Sequence, residues 1–462
     1  MAEEIKGHVV VLGLGRSGRS VAEYLTCHAN GEGVRVTVVD GADTPALAAL
    51  AEGLRSVGAE VLLGIDHVPA DADLIVASPG IPPSSAIMVS AQATGAPVIG
   101  EIELAYRVSR SPWVAITGTN GKTTTTALTA HLLETSGLPV ETVGNIGYAA
   151  TTVAAGAGPA TVLVAEVSSF QLMLTERFHP RVSVLLNITP DHIDYHGSLE
   201  AYAADKARVF ANQTTGDTAI VDVDDPGSAP YADALAASGV DVCRVSRSRT
   251  FERGATVAGG MLTLACGDVA VELVGVDELK IKGDHNVSNA LAAAAAAHAA
   301  GASVAGIREG LRTFEPIEHR LEPAGVVGGV EYFNDSKATN PDAVLKALTA
   351  FDERPLVVLL GGHNKGNDFG DLARAVCDRS RAAVIFGECA DELEEAFAKQ
   401  EGTCRVVRVP GMADAVSAAA GLAHPGDVVV LSPACASFDE FDNYEHRGRV
   451  FKDLVSTMAK GS

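Results

Sequence analysis

The chain has 462 residues, is 47% hydrophobic and 5% aromatic, and carries a formal charge of −23. That length exceeds what one core can serve and sets an expectation of about three domains of soluble α/β type. The charge argues against nucleic acid as a partner, because phosphate neutralisation needs clustered Lys and Arg, so any anionic ligand must be held by local cations and helix ends.

The first segment reads as a βαβ unit. His8 to Leu12 is a strand, Gly13-Leu14-Gly15-Arg16-Ser17-Gly18 completes GxGxxG, Ser20 to Leu25 begins a helix, and Val34 to Val39 is a second strand ending at Asp40. Glycines there permit a tight turn and close approach to a pyrophosphate, and the acid can take ribose hydroxyls or a base. The pattern fits NAD, a nucleotide-sugar, or a Rossmann-like loop that simply packs tightly. Leu74 to Ala77 is another strand, followed by the turn Ser78-Pro79-Gly80-Ile81-Pro82 at the sheet's carboxyl end.

The second segment opens with WVAITGTNGKTTTTALTAHLLETSG, Trp113 to Gly137. An apolar run, a glycine turn and a helical pattern place unpaired helix N–H groups at an anion site. Lys122 adds a charge that reaches β- and γ-phosphates, and the Thr123 hydroxyl is placed for a phosphate-bound Mg2+. Ile116 stands where the general P-loop has its first glycine. Further on, Gly144-Asn145-Ile146-Gly147 is a turn, and the strand Thr161 to Ala165 is capped by Glu166. A carboxylate at that point is either a Mg2+ ligand or part of a helix-start box. Val182 to Leu186 runs into Asn187-Ile188-Thr189-Pro190-Asp191-His192-Ile193-Asp194, read as metal or phosphate chemistry or as a polar surface loop. A helix from Leu199 to Phe210 carries Lys206, which by spacing reads as solvated. Residues from Thr218 to Leu279 look like strands and hairpins. Gly283-Asp284-His285-Asn286 precedes a helix, Val287 to Ala300, whose Asn289 faces a base or caps the first turn.

A composition change near Phe314 to Arg320 opens a third segment of strand–loop–helix units. Its strands, Glu331 to Phe333, Pro355 to Leu360, Ala382 to Phe386, Arg405 to Val409 and Asp427 to Leu431, imply a parallel sheet with polar loops at its carboxyl ends. The seven cysteines are scattered without a CxxC pair, favouring reduced thiols and a cytoplasmic setting. The start MAEEIKG does not read as a signal peptide, and the run Ala290 to Ala300 is too weakly apolar for a membrane span.

GTNGKTTTT, GNIG, EVSSFQL, NITPDHIDYH, HNVSNALAA, HR and NDSKATN follow one another in an order that resembles the Mur ligase family, ATP-dependent enzymes that form amide bonds in peptidoglycan precursor synthesis. The resemblance covers nearly the whole chain. It implies a Rossmann-like N-terminal domain (1–108) for the UDP-substrate, a central P-loop ATPase-type domain (109–314) and a Rossmann-like C-terminal domain (315–462) for the amino acid. The N-terminal GxGxxG, KATNPDAV, LGGHNKG and SPACASFDEFDNYEHRGRVF narrow the implied substrates to UDP-N-acetylmuramoyl-L-alanine and D-glutamate. Neither nucleic acid nor a membrane is expected as a partner, and the chain is expected to be a monomer.

The resemblance also assigns residues. Gly15, Arg16, Ser17 and Asp40 would hold the UDP moiety with Ser78 and Gly80 nearby, and Asn145 would contact the incoming muramoyl substrate. Gly118, Thr119, Asn120 and Gly121, with Lys122, Thr123 and Thr124, would hold ATP phosphates. Asn289 would lie near adenine, and Arg320 and Asp335 near phosphate and ribose. Thr123, Glu166, His192 and Lys206 would serve Mg2+, two ions in all, with Lys206 as a carbamate; Lys122, His192 and Lys206 are the expected catalytic group. Lys337, Thr339, Lys365, Ser437 and Phe438 would surround D-glutamate, with Tyr444 where relatives commonly have Phe. GxGxxG and Asp40 alone would also fit an NAD-dependent dehydrogenase, and the phosphate loop alone a non-catalytic nucleotide switch.

Overall fold

The computed structural model describes residues 3–28, 33–266, 269–351, 354–400 and 404–461. Among them three sheets form. The first has the order Glu60–Leu63, Val34–Asp40, Gly7–Leu12, Leu74–Ala77, Val98–Gly100, all parallel. Its central strand is apolar at successive positions because both faces are covered: Val9 and Val11 pack into one cluster, Val10 and Leu12 into another. GxGxxG and the Ser78 turn follow neighbouring strands at the point where strand order reverses, the usual ligand crevice of such sheets.

The second sheet is parallel over Val140–Gly144, Val162–Glu166, Trp113–Thr117, Val182–Leu185, Thr218–Asp222, Asp241–Ser246 and Arg253–Ala258. Antiparallel strands Met261–Cys266 and Val269–Gly275 extend its edge. The hairpin reading of 218–279 therefore holds only for its last part; a helix, Ala229–Ala237, and two parallel strands occupy the rest. Trp113–Thr117 lies between Val162–Glu166 and Val182–Leu185, so the phosphate loop, Glu166 and the Asn187–His192 stretch leave adjacent strands at one end.

The third sheet has the order Glu322–Val327, Val330–Asn334, Val428–Leu431, Leu356–Gly361, Ser380–Phe386, Arg405–Arg408, parallel except for its first strand. Two apolar clusters cover its faces. The chain forms two compact units, Met1–Glu278 with Ser288–Arg312, and Leu279–Val287 with Thr313–Ser462. The first unit holds the first two sheets. Glu103 joins them, accepting the backbone N–H groups of Glu176, Arg177 and Phe178 while pairing with Arg107 at 2.7 Å. No helix among the described residues is long and apolar enough to cross a membrane.

Candidate active site

The phosphate loop is built from glycine geometry. Gly121 caps the helix Lys122–Thr135 in the left-handed region, φ 85°, and a Cβ there would lie 2.3 Å from Asn289 Oδ1. Only glycine fits under that amide. The Asn187 and Thr189 stretch fixes the loop: Asn120 N–H donates to Asn187 Oδ1 at 2.8 Å, Asn187 Nδ2 donates back to Asn120 O at 3.0 Å, and Thr119 Oγ1 donates to Thr189 O at 3.1 Å. Lys122 Nζ donates to Gly118 O and Thr119 O, both at 2.8 Å. Thr123 and Thr124 are buried in the first turn. The helix bearing Asn289 starts at Asp284, not Val287, so Asn289 sits in its second turn and cannot cap it. An acidic first turn, where helix N–H groups are unpaired, accounts for the earlier start.

Glu166 is the last residue of its strand and is 2% exposed. Oε1 accepts Asn145 Nδ2 at 2.8 Å, and Oε2 is buried without a hydrogen-bond partner among the described residues. The helix-start box belongs instead to Ser168 and Gln171, which cap one another. A buried orphan carboxylate oxygen is a hard donor suited to Mg2+, so the residues fit that ion. His192 holds a left-handed backbone, φ 53°, with Nε2 3.7 Å from Asp191 Oδ2.

Lys206 is not solvated as its spacing implied. It is 1% exposed, its Nζ donates to Gly118 O at 2.8 Å and lies 4.4 Å over the Tyr202 ring. Burial, and then the charge of Lys122, push its pKa well below the ordinary value against the pull of Asp191, Glu166 and Asp205. Lys122 and Lys206 thus converge on one carbonyl.

At the first sheet, the Asp40 carboxylate ties its own turn to the glycine loop: Leu14 N–H of that loop donates to Oδ2 at 2.7 Å and Ala42 N–H to Oδ1 at 2.9 Å. Gly13 and Gly18 pack tightly, a Cβ on Gly18 falling 1.8 Å from Gly13 O. Ser78 Oγ is buried against Gly13 without a partner among the described residues. Gly15 and Arg16 are exposed and Ser17 half-buried, and Gly80 has open space where a Cβ would stand. Arg16 Nη2 donates to Gly144 O at 2.9 Å and Asn145 O at 3.3 Å, which brings Arg16 and Asn145 together beside Glu166.

In the second unit, loops after three neighbouring strands meet. Asp335 is buried, accepts Ser432 Oγ–H at 2.7 Å and Leu321 N–H at 3.3 Å, and the Arg320 Nε near it is buried without a partner among the described residues. Lys337 Nζ lies 5.3 Å over the Tyr444 ring. The Lys365 turn is tied to the Ser437 loop by paired backbone bonds between His363 and Ala436 at 2.9 and 3.0 Å. Ser437 is buried, Thr339 and Lys365 are half-buried, and Phe438 is 73% exposed.

Burial pushes the Asp335 carboxyl up to about 7 from its ordinary 3.8. From about pH 4 to about pH 7 the folded chain therefore keeps a proton that the unfolded chain has lost. Stability from this group is full below about pH 4 and lost as pH rises through about 7. Asp335→Asn is expected to flatten the fall in melting temperature between about pH 5 and about pH 8. Parallel curves for the two proteins would contradict the assignment.

Three family descriptions match in chain order: Mur ligase MurD-like, N-terminal domain at residues 7–100; Mur ligase middle domain at 116–297; and Mur ligase, glutamate ligase domain at 319–435. The chain belongs to the Mur ligase family. It is 43% identical to the UDP-N-acetylmuramoylalanine–D-glutamate ligase of Pelotomaculum thermopropionicum, covering 98% of each chain. To the enzyme of the same name from Salinibacter ruber it is 44% identical, covering 97% of each. Its fold is similar to that of the UDP-N-acetylmuramate-alanine ligase of Thermotoga maritima, with a TM-score of 0.60 at 19% identity, over 97% of this chain and 99% of that one.

Two residues of this Mur ligase escaped the sequence reading. Arg447 is fully buried, and its guanidinium donates to Ser336 Oγ and O, to Cys435 O, and more weakly to Ala436 O and Gly361 O. One side chain thus ties together the loops that bear Lys337, Lys365 and Ser437. Burial pushes its pKa down to about 10. Its only sequence signal was its place in the YEHRG string. The other is His196, in the NITPDHIDYH string.

Proposed function

We infer that the chain joins D-glutamate to UDP-N-acetylmuramoyl-L-alanine at the expense of ATP, as a monomeric cytoplasmic enzyme of peptidoglycan precursor synthesis. The convergence of Lys122 and Lys206 on Gly118 O, beside the orphan oxygen of Glu166, carries the catalytic reading. The names of relatives that align with this chain over nearly their whole length support the choice of substrates. We assign 1–108 to the UDP-substrate, 109–314 to ATP and 315–462 to the amino acid.

A carboxylate is a poor acyl donor because oxide would have to leave. Its oxygen attacks the γ-phosphorus of ATP, ADP departs, and the carboxyl becomes an acyl phosphate. The D-glutamate amine then attacks the acyl carbon, the C–N bond forms, the nitrogen gives up a proton, and phosphate leaves with one former carboxylate oxygen. The first step brings two anions together. Lys122 offsets that repulsion at the transferring phosphoryl group, and the loop N–H groups hold its oxygens. Thr123, Glu166, His192 and Lys206 are the residues that would hold Mg2+, which supplies charge neutralisation between carboxylate and triphosphate when bound. Arg16, Ser17 and Asn145, with Gly15, Asp40, Ser78 and Gly80, orient the UDP-substrate. Asn289, Arg320 and Asp335 are assigned to the nucleotide, and Lys337, Thr339, Lys365, Ser437, Phe438 and Tyr444 to D-glutamate.

Phosphate release is expected only when ATP, UDP-N-acetylmuramoyl-L-alanine and D-glutamate are all present. Substrate labelled with 18O in the alanyl carboxylate should pass one label to phosphate. Turnover with L-alanine, L-lysine or meso-diaminopimelate in place of D-glutamate would refute the substrate assignment, and unlabelled phosphate the acyl-phosphate route.

A further inference from the structure

His196 closes the four-residue helix Ile193–His196, and its side chain is fully buried. Nδ1 stands 2.8 Å from Asp205 Oδ2 and Nε2 stands 3.0 Å from Ser169 Oγ. The carboxylate can only accept, so Nδ1 carries a proton toward Asp205, and the serine hydroxyl, which can donate or accept, is the partner of Nε2. The ring stacks on Phe170 at 5.2 Å and 12°, and meets Tyr202 edge-on at 5.1 Å. Phe170 in turn meets the His192 ring edge-on at 4.9 Å.

These contacts join three separate stretches of chain. Ser169 follows Glu166 by three residues, His196 follows His192 by four, and Asp205 directly precedes Lys206. Each stretch brings one of the oxygen or nitrogen donors assigned above to Mg2+. One imidazole is the node where all three meet, and no part of the mechanism so far uses it.

We propose that His196 is the positioning residue that holds Glu166, His192 and Lys206 in mutual register for the metal, through Ser169 on one side and Asp205 on the other. A rigid ring with opposed polar atoms sets the spacing between helix Leu199–Ala207 and the Glu166 strand end. Ligand sets respond to such supports because a displaced donor loses its bond to the ion while keeping its own chemistry. The proposal rests on the ligase reading for the identity of the metal donors.

The test uses the full chain with His196→Phe, which keeps a stacked ring and removes both hydrogen bonds, and Ser169→Ala, which removes only the Nε2 partner. Mn2+ binding in the presence of ADP, followed by electron paramagnetic resonance of the free ion, needs no turnover. His196→Phe is expected to weaken Mn2+ binding about tenfold or more, with a smaller loss in Ser169→Ala. In phosphate-release assays the half-saturating Mg2+ concentration should rise in step, with KM for D-glutamate unchanged. Mn2+ binding within about twofold of the unsubstituted chain in both variants would overturn the proposal, even if melting temperatures fell. Failure of the ligase reading would look different: the unsubstituted chain would release no D-glutamate-dependent phosphate, while its Mn2+ titration remained readable.

Discussion

Lys122→Ala is expected to lower D-glutamate-dependent phosphate release by about a thousandfold, with the fold retained. The lysine sits at the start of the helix Lys122–Thr135, where the unpaired N–H groups and the helix dipole already favour an anion. Its ammonium adds a full charge to that cradle, held by the carbonyls of Gly118 and Thr119 at 2.8 Å. Charge spreads over the equatorial oxygens during phosphoryl transfer, and a cation fixed beside them lowers the barrier more than it strengthens ground-state binding. The loop survives the loss because Asn187 and Thr189 hold it independently. Lys122→Ala should therefore show native circular dichroism and near-native melting, with kcat reduced far more than KM for ATP is raised. Near wild-type turnover would end the P-loop reading.

The elements that bring these groups together were largely readable before the structure. Leu74–Ala77 and Trp113–Thr117 are apolar runs bounded by glycine turns, and parallel sheets covered on both faces require such runs. The polar strings after them fell at strand ends because parallel topology puts loops there. What escaped depends on contacts far apart in sequence. Lys206 looked like any helix lysine, since its burial is made by Gly118, 88 positions away. Arg447 reaches Ser336 across 111 positions. Cys389 and Cys435 lie in separate strings, yet their sulfurs are 3.2 Å apart in the core of the third sheet. The helix Ala229–Ala237 went unread although Pro230 stands in its first turn, a start signal masked by the short apolar runs around it. At Asp40 the spacing rightly placed an acid at a strand end, but its oxygens accept backbone N–H groups from two loops, Leu14 of the glycine loop and Ala42 of its own turn.

Lys206→Ala is expected to lose nearly all activity and to regain part of it with acetate or propionate. Burial disfavours the charged form of Lys206, and the Lys122 ammonium on the same Gly118 carbonyl disfavours it further by repulsion. The neutral amine is the form that adds to CO2: nitrogen bonds to carbon, a proton is released, and an anionic carbamate results. That change replaces a cation with an oxygen donor beside Glu166, where a hard divalent ion prefers oxygen. It also removes the clash with Lys122, which is then free to serve the phosphates. Truncation to alanine leaves space for a short carboxylate to stand where the carbamate oxygens would be, so rescue should saturate with acetate and fail with a neutral amide of the same size. Protein incubated with 13C-bicarbonate should show a carbamate resonance that is absent from Lys206→Ala. Full activity of Lys206→Ala without any additive would return Lys206 to a packing role. Loss without rescue, in a variant whose circular dichroism is native, would refute the carbamate while leaving the buried lysine itself essential.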